Sequence, residues 1–387
     1  MFFHSKFSHG RRYPPDFDFS GSSKPAWSRS FACSPLPARR KMALRLEITL
    51  RGSRGITAKK PAVALAPMEL ARATVELRRF LKRKEIEILY AYEGNVARFI
   101  AWVVALGLRD TKVVWGVQGA GQRNIREDYD WKLALPFYMC KWISGFVPAL
   151  ISNSEAGYRD RKERGYRCTT QLFIDNGFDV DRFKPDPAAR ARVRSEWKIE
   201  NEYLIGVVGR IAPSKGLPTF LKAAALIAEK RKDVRFACVG SGAPDYLAKL
   251  RRQAADLGIA DIVIWAEAVE DVVGVYNAID ILCVSAYGGE GFPNVLGEAM
   301  ACGVPCVATD VGDAKKIVGE LGIVVPSEEP KMRADGLERM LQRLNKIDYL
   351  ELRERIVRRF PLEAMVNNTE GALTHVLGPQ SAHFSRP

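Results

Sequence analysis

The chain has 387 residues, 47% hydrophobic and 27% charged, with a net charge of +14. That length accommodates two domains, and no apolar run approaches the roughly 18 residues of a membrane span. The charge excess is local: residues 1–60 carry +10 and the other 327 only +4, so the body of the chain is too mildly basic to imply a nucleic-acid partner.

Histidine occurs only at positions 4, 9, 375 and 383. Zincin motifs are therefore excluded, and residues 10–374 offer no histidine for a Ser-His-Asp triad or a general base. Seven cysteines, at 33, 140, 168, 238, 283, 302 and 306, form no CxxC pair. Several stand in strand-like apolar runs, which reads as reduced, buried thiols of a cytosolic protein without structural zinc.

Residues 1–41 mix Ser, Pro, Phe and Arg without periodicity and are expected to be a disordered basic leader, with Met42 an alternative start. Asp16, Asp18 and the prolines argue against a transit peptide. From there the pattern alternates. A strand is expected at 44–50, a helix at 67–83, a strand at 86–90, a helix at 95–106 and a strand at 112–117. Residues 129–148 hold Trp131, Phe137, Tyr138, Trp142 and Phe146 with Lys132 and Lys141 between them. Such a helix covers a sheet or lies at a membrane surface. A strand follows at 149–152, and Asn153-Ser154-Glu155 caps the next helix. The turn formers of residues 175–186 mark a domain boundary, with a short helical linker at 190–197.

The second half repeats the alternation with strands at 203–208, 234–239, 262–265, 279–284, 306–308 and 323–325. Helices are expected at 217–231, 244–257, 271–278 and 293–302. Strands that are apolar throughout are buried on both faces. The domain is thus a doubly wound α/β sheet, with ligands expected at the carboxyl ends of its strands. The loops 209–216, 240–244, 266–270 and 285–293 all fall on that edge.

Two carboxylates there, Glu290 and Glu298, lie eight positions apart, the second about two turns into a helix. A helix N-terminus attracts phosphate, and carboxylates accept hydrogen bonds from hydroxyls, so this stretch suits a sugar nucleotide. Arg210 and Lys215 in Gly209-Arg210-Ile211-Ala212-Pro213-Ser214-Lys215-Gly216 supply a planar fork and a point charge for a diphosphate. No Walker A sequence is present, and Gly240-Ser241-Gly242 lacks the third glycine of a dinucleotide fingerprint, which weighs against an NAD enzyme. Asp-x-Asp pairs at 16–18, 128–130 and 179–181 are read as chance and turn capping rather than metal sites.

Glu290 through Glu298, Gly209-Arg210 with Lys215, and Asn176-Gly177-Phe178-Asp179 with Arg182-Phe183 together resemble the retaining GT-B glycosyltransferases of family 4, over residues 66–376. The bacterial members that build surface polysaccharides are the nearest in appearance. The resemblance implies two Rossmann-like domains facing across a cleft. It divides the chain into an acceptor-side domain at 42–184, a nucleotide-sugar-binding domain at 185–350, and C-terminal helices and tail at 351–387, with a helix at 362–376 crossing back to the first domain.

It further implies a metal-independent hexosyltransferase. Arg210, Lys215 and Glu290 would be catalytic. Gly209, Gly240, Gly291, Phe292, Pro293, Asn294, Val295 and Glu298 would bind the donor, Glu298 through its ribose. The nucleotide sugar, UDP-linked, is a substrate, and no other cofactor is expected. The acceptor would be a glycan or lipid-linked, with the protein cytoplasmic and in peripheral contact with the inner membrane face through 129–148. The family's opening strand, glycine-rich loop and helix have no clear copy in residues 1–65, and Tyr92-Glu93-Gly94-Asn95 stands where many members carry a histidine. The first domain is therefore expected to be truncated. The alternative is an inactive sugar-nucleotide-binding relative.

Overall fold

The computed structural model describes residues 44–45, 67–92, 94–120, 131–267 and 269–378. The leader at 1–41 and the Asp pairs at 16–18 and 128–130 lie outside the described residues, as does most of the expected strand at 44–50.

The first sheet contains β1 (Leu44–Arg45), β2 (Ile88–Ala91), β3 (Lys112–Val117), β4 (Ala149–Ser152) and β5 (Thr170–Phe173). They are parallel and pair in chain order. Right-handed crossovers between strands in that order put α1 (Pro67–Arg83), α2 (Gly94–Ala105), α3 (Trp131–Ile143) and α4 (Glu155–Glu163) on one face. Strand side chains alternate accordingly. Leu89, Val113, Trp115 and Leu150 pack with Leu81, Val104, Phe137 and Cys140 of those helices. Ile88, Val114, Ala149 and Ile151 point the other way. That second face is covered by α13 (Leu362–Leu377), through Met365, Val366, Leu373 and Val376. The Lys112 ammonium donates to the Val376 carbonyl at 2.7 Å. The C-terminal helix thus completes the first domain.

The second sheet holds β6 (Tyr203–Val208), β7 (Val234–Val239), β8 (Val263–Ala266), β9 (Ile281–Val284), β10 (Cys306–Thr309) and β11 (Ile323–Val325). All are parallel, in the order β11-β10-β9-β6-β7-β8. The chain winds outward from β6 in one direction, returns to the other side of β6 as β9, and winds outward again. The reversal between β6 and β9 is a topological switch point, where the loops leaving the two strands diverge and open a crevice. One face packs α6 (Leu217–Lys230), α7 (Pro244–Asp256) and α11 (Pro330–Arg343). The other packs α8 (Val272–Ala278), α9 (Asn294–Ala301), α10 (Ala314–Val318) and α12 (Tyr349–Arg359), while α5 (Pro187–Glu196) leads into β6.

Several elements differ from the sequence expectation. β5 is an edge strand with half-buried residues, so it lacks the apolar run that marks its neighbours. α10 is too short to show a period, and α11 is interrupted by Arg333 and Gly336 in what would be an apolar stripe. α12 packs on α9 of the second domain, so the division at residue 350 falls inside it. β2 and β9 each begin two residues later than expected, after turns that their apolar residues had disguised.

The two domains meet where the chain crosses twice. The Phe178 N–H donates to the Phe360 carbonyl at 3.0 Å. Phe178, Phe292 and Phe360 form a ring cluster with centroids 5.5–6.3 Å apart. Gly177 lies so close to the return strand of chain that a β-carbon there would sit 2.5 Å from Leu362 Cα and 2.7 Å from the Pro361 oxygen. Gly177→Ala should therefore cost about 2 kcal/mol in urea denaturation and lower hydrogen-exchange protection in 362–377. An unchanged midpoint would show that this crossing yields easily.

Candidate functional site

The loops at the switch point are sewn together by hydrogen bonds. The Ile211 N–H donates to the Ser241 carbonyl at 2.8 Å, and the Gly240 N–H to Ala266 at 2.9 Å. The Tyr287 N–H donates to Ser214 at 3.0 Å, and the Ser285 hydroxyl to the Lys215 carbonyl at 2.7 Å. The Tyr287 and Thr219 hydroxyls share a bond of 2.7 Å. Gly216 makes this closeness feasible: its φ of +65° suits glycine, and a β-carbon would stand 1.9 Å from the Ser285 oxygen. The segment from Gly209 to Gly216 is thus fixed against two other loops.

This lacing brings Lys215 and Glu290 together as an ion pair across the crevice. Both side chains remain partly exposed, at 32% and 17%. Arg210 is exposed and has no ion-pair partner among the described residues. Gly209 precedes it with a φ of +138°.

Past Glu290 the chain enters α9. The Phe292 side chain is buried in the ring cluster, so only its backbone is available to a ligand. Gly291 and Pro293 are buried, Val295 is half-buried, and Asn294 accepts a 2.8 Å hydrogen bond from Asn176 of the first domain. No side chain caps the N-terminus of α9. Helix N–H groups there are free to meet an anion. Because α9 begins at Asn294, Glu298 lies just over one turn in, rather than about two. It is buried, and its Oε2 accepts from the Tyr276 hydroxyl at 2.6 Å. Burial pushes its carboxyl up to about 7, against the opposing effect of that hydrogen bond.

The first domain reaches the same crevice. A β-carbon on Gly291 would lie 2.7 Å from Ser154 Oγ and 3.0 Å from both Asn153 Oδ1 and the Gln118 carbonyl. The Asp313 carboxylate accepts from the N–H groups of Glu155 and Ala156, at 2.8 and 2.9 Å, and so caps α4 from the opposite domain. Its own N–H donates to the Gly291 carbonyl at 2.8 Å. Lys316 pairs with Asp175 at 2.6 Å across the same seam. Ser152 Oγ and Asn153 Oδ1 are buried without a hydrogen-bond partner among the described residues. They line a small pocket with Tyr90, Tyr92, Asn176 and Thr369. The remaining Asp-x-Asp pair caps a turn, with Asp179 accepting from the Arg182 N–H at 3.0 Å.

The structure pairs Lys215 with Glu290 and bonds Glu298 to Tyr276 instead; the contacts of Asp313, Tyr276, Tyr287, Ser152 and Asn153 were missed by sequence reasoning. Asp310-Val311-Gly312-Asp313 after a strand is a turn signal, but nothing local reveals a partner 158 residues away.

Residues 202–343 match the family described as "Glycosyl transferases group 1". The chain has the GT-B fold, and the glycosyl transferases group 1 match falls on its second domain. It is 35% identical over 159 residues to the GDP-mannose-dependent alpha-(1-6)-phosphatidylinositol monomannoside mannosyltransferase of Mycolicibacterium smegmatis, covering 38% of this chain and 41% of that one. It is 35% identical over 207 residues to the D-inositol 3-phosphate glycosyltransferase of Corynebacterium jeikeium, covering 50% and 48%. The matches thus span less than half the length of these relatives. The GT-B fold is shared with Anabaena Alr3699/HepE in complex with UDP-glucose, with a TM-score of 0.70, 22% identity and coverage of 82% and 84%. It is also shared with the sucrose-phosphate synthase of Thermosynechococcus elongatus, with a TM-score of 0.68, 20% identity and coverage of 80% and 78%.

The raised Glu298 carboxyl links stability to pH. Between 4.5 and about 7 the folded group holds a proton that the unfolded chain releases. Its stabilising contribution is therefore complete below 4.5 and lost as pH rises to about 7. Denaturation across that window should show wild type losing up to roughly 3 kcal/mol relative to Glu298→Gln. Parallel curves for the two proteins would exclude the raised value.

Proposed function

We propose that this chain is a metal-independent hexosyltransferase. It moves a sugar, with retention, from a UDP-linked donor to a glycan or lipid-linked acceptor in surface polysaccharide synthesis. The observation that carries this reading is the Lys215–Glu290 pair across the switch point, beside the uncapped N-terminus of α9.

In this reading the donor diphosphate lies against Arg210, Lys215 and the first N–H groups of α9, held by backbone at Gly209, Gly240 and Gly291 to Val295. Arriving phosphate takes over Lys215 and frees Glu290 to accept from hydroxyls of the donor sugar. Glu298 meets the ribose. The bond between the sugar's anomeric carbon and the phosphate oxygen breaks, and a bond to the acceptor oxygen forms on the same face. The acceptor proton passes to the departing phosphate oxygen, so no protein base is required. Arg210 and Lys215 stabilise the charge left on the nucleotide, and the unpaired Ser152 and Asn153 offer hydrogen bonds to the acceptor.

Donor hydrolysis and binding should be measured with UDP-, GDP- and ADP-sugars, with and without EDTA. One nucleotide should bind, and its sugar should be released regardless of EDTA. Glu290→Gln should lower release about 100-fold while shifting the fold's stability by under about 1 kcal/mol. Binding without release would favour the inactive relative, and no binding would remove the donor site.

The peripheral membrane contact rests on one surface of the first domain. Trp142 is 83% exposed, Phe146 75% and Tyr138 42%, with Lys141 and Arg167 exposed beside them. Phe146 stacks near Trp102 at 6.5 Å. No helix among the described residues is long and apolar enough to cross a membrane. Aromatic anchors with flanking cations suit an anionic bilayer surface at the cytoplasmic face. Wild type should sediment with vesicles containing phosphatidylserine, and Trp142→Ala with Phe146→Ala should abolish this without altering nucleotide affinity. Equal sedimentation of both proteins would discard the surface.

A further inference from the structure

Arg333 is fully buried at the start of α11, with 0% of its surface exposed. Its Nε, Nη1 and Nη2 all lack a hydrogen-bond partner among the described residues. Each of the other buried arginines, Arg98, Arg161 and Arg194, has at least one side-chain partner. Arg194 donates to Asp280 and to the carbonyls of Glu202 and Ala278. Arg98 donates to the Gly116 carbonyl and to Asn95. Among the described residues, the titratable groups whose charge acts on Arg333 are the Cys283 thiol of β9 and the Tyr287 phenol rather than a carboxylate. Burial lowers the guanidinium's affinity for its proton, yet an arginine stays charged at neutral pH. An uncompensated buried charge opposes folding.

Its position explains what such a charge could serve. α11 packs against α6 and β9, the two elements whose loops carry Lys215 and Glu290. Tyr287 stands between: its hydroxyl meets Thr219 of α6, its N–H holds Ser214, and Glu290 follows three residues later. Arg333 therefore lies on a helix packed directly against the two elements that adjoin the Lys215 and Glu290 loops. Through a dry interior the field of a buried cation falls off slowly.

We propose that Arg333 is a positioning residue of the donor site, a buried permanent cation whose counter-charge is the diphosphate of the bound nucleotide. The proposal rests on the donor-site reading above. The empty protein is less stable for holding it, and the complex with a nucleoside diphosphate is tighter.

The two effects have opposite signs, which makes them separable. UDP and GDP binding should be measured by calorimetry, beside uridine and guanosine, for wild type, Arg333→Leu, Arg333→Met and Arg333→Lys. The Leu and Met variants should melt at or above the wild-type temperature without ligand. They should bind the diphosphate about five- to twenty-fold more weakly, with the corresponding nucleoside unaffected. The donor KM should rise more than kcat falls, and Lys should restore most of the affinity. A higher melting temperature with diphosphate affinity within two-fold of wild type would overturn the proposal, leaving Arg333 a structural charge. Equal loss of nucleoside and diphosphate binding would also overturn it, because the loop itself would then have moved. If wild type binds neither UDP nor GDP while remaining folded, the donor-site reading fails and the proposal fails with it.

Discussion

Asp313 joins the parts that the crevice requires. Its carboxylate satisfies two N–H groups at the start of α4 in the first domain, and its N–H holds the Gly291 carbonyl in the loop of Glu290. A carboxylate at a helix N-terminus is favoured both by hydrogen bonding and by the helix dipole. Here the helix and the carboxylate belong to different domains, so a capping interaction worth about 1 kcal/mol within one helix also sets the register between two sheets. Gly312 lets the turn approach: a β-carbon there would stand 2.3 Å from the Gly291 oxygen and 2.5 Å from that of Glu290. The position of Glu290 over the crevice therefore depends on a residue with no evident part in the chemistry.

Electrostatics divides the crevice into prepared pairs and unmet charges. Lys215 and Glu290 neutralise each other, so neither is left desolvated without a partner. Arg210 is exposed to water and needs no partner. Glu298 has lost its water, retains one hydrogen bond from Tyr276, and holds its proton up to about pH 7. Arg333 is fully buried and has no hydrogen-bond partner among the described residues. The net effect is a site whose cations outnumber its ionised carboxylates near neutral pH. That imbalance makes the fold less stable than its apolar packing alone would permit.

The second domain was legible in the sequence because its strands are apolar on both faces and its turns are rich in glycine. The strands 203–208, 234–239 and 323–325 fall where the periodicity places them. Lys215 and Glu290 were also legible as residues of two loops on one sheet edge, since all the strands of that sheet are parallel. Their direct pairing depends on β9 returning beside β6, which is a fact of topology rather than of local pattern. β5 was illegible because an edge strand is buried on only part of its surface. Arg333 lay hidden for the opposite reason: an arginine in a helix reads as surface, and here the fold puts it inside.

The C-terminal helix is the element that turns two domains into one crevice. The first sheet has its crossover helices on one side, so its other face would present Ile88, Val114, Ala149 and Ile151 to water without α13. Supplying that cover from the chain's far end forces a return crossing, and the return at Phe360–Pro361 lies against the outward crossing at Gly177–Phe178. Both covalent links between the domains therefore pass through one hydrogen-bonded, ring-packed junction. Any motion of one domain against the other must pivot close to it, because two adjacent links at one point leave rotation as the inexpensive freedom and translation as the costly one. Gly297 of α9 abuts Phe178 in the same junction, where a β-carbon would lie 2.0 Å from the ring. The helix that presents its N-terminus to the crevice is thus anchored at the pivot itself, and such a rotation would change the gap between Gly291 and Ser154 while leaving the Lys215–Glu290 geometry within the second domain intact.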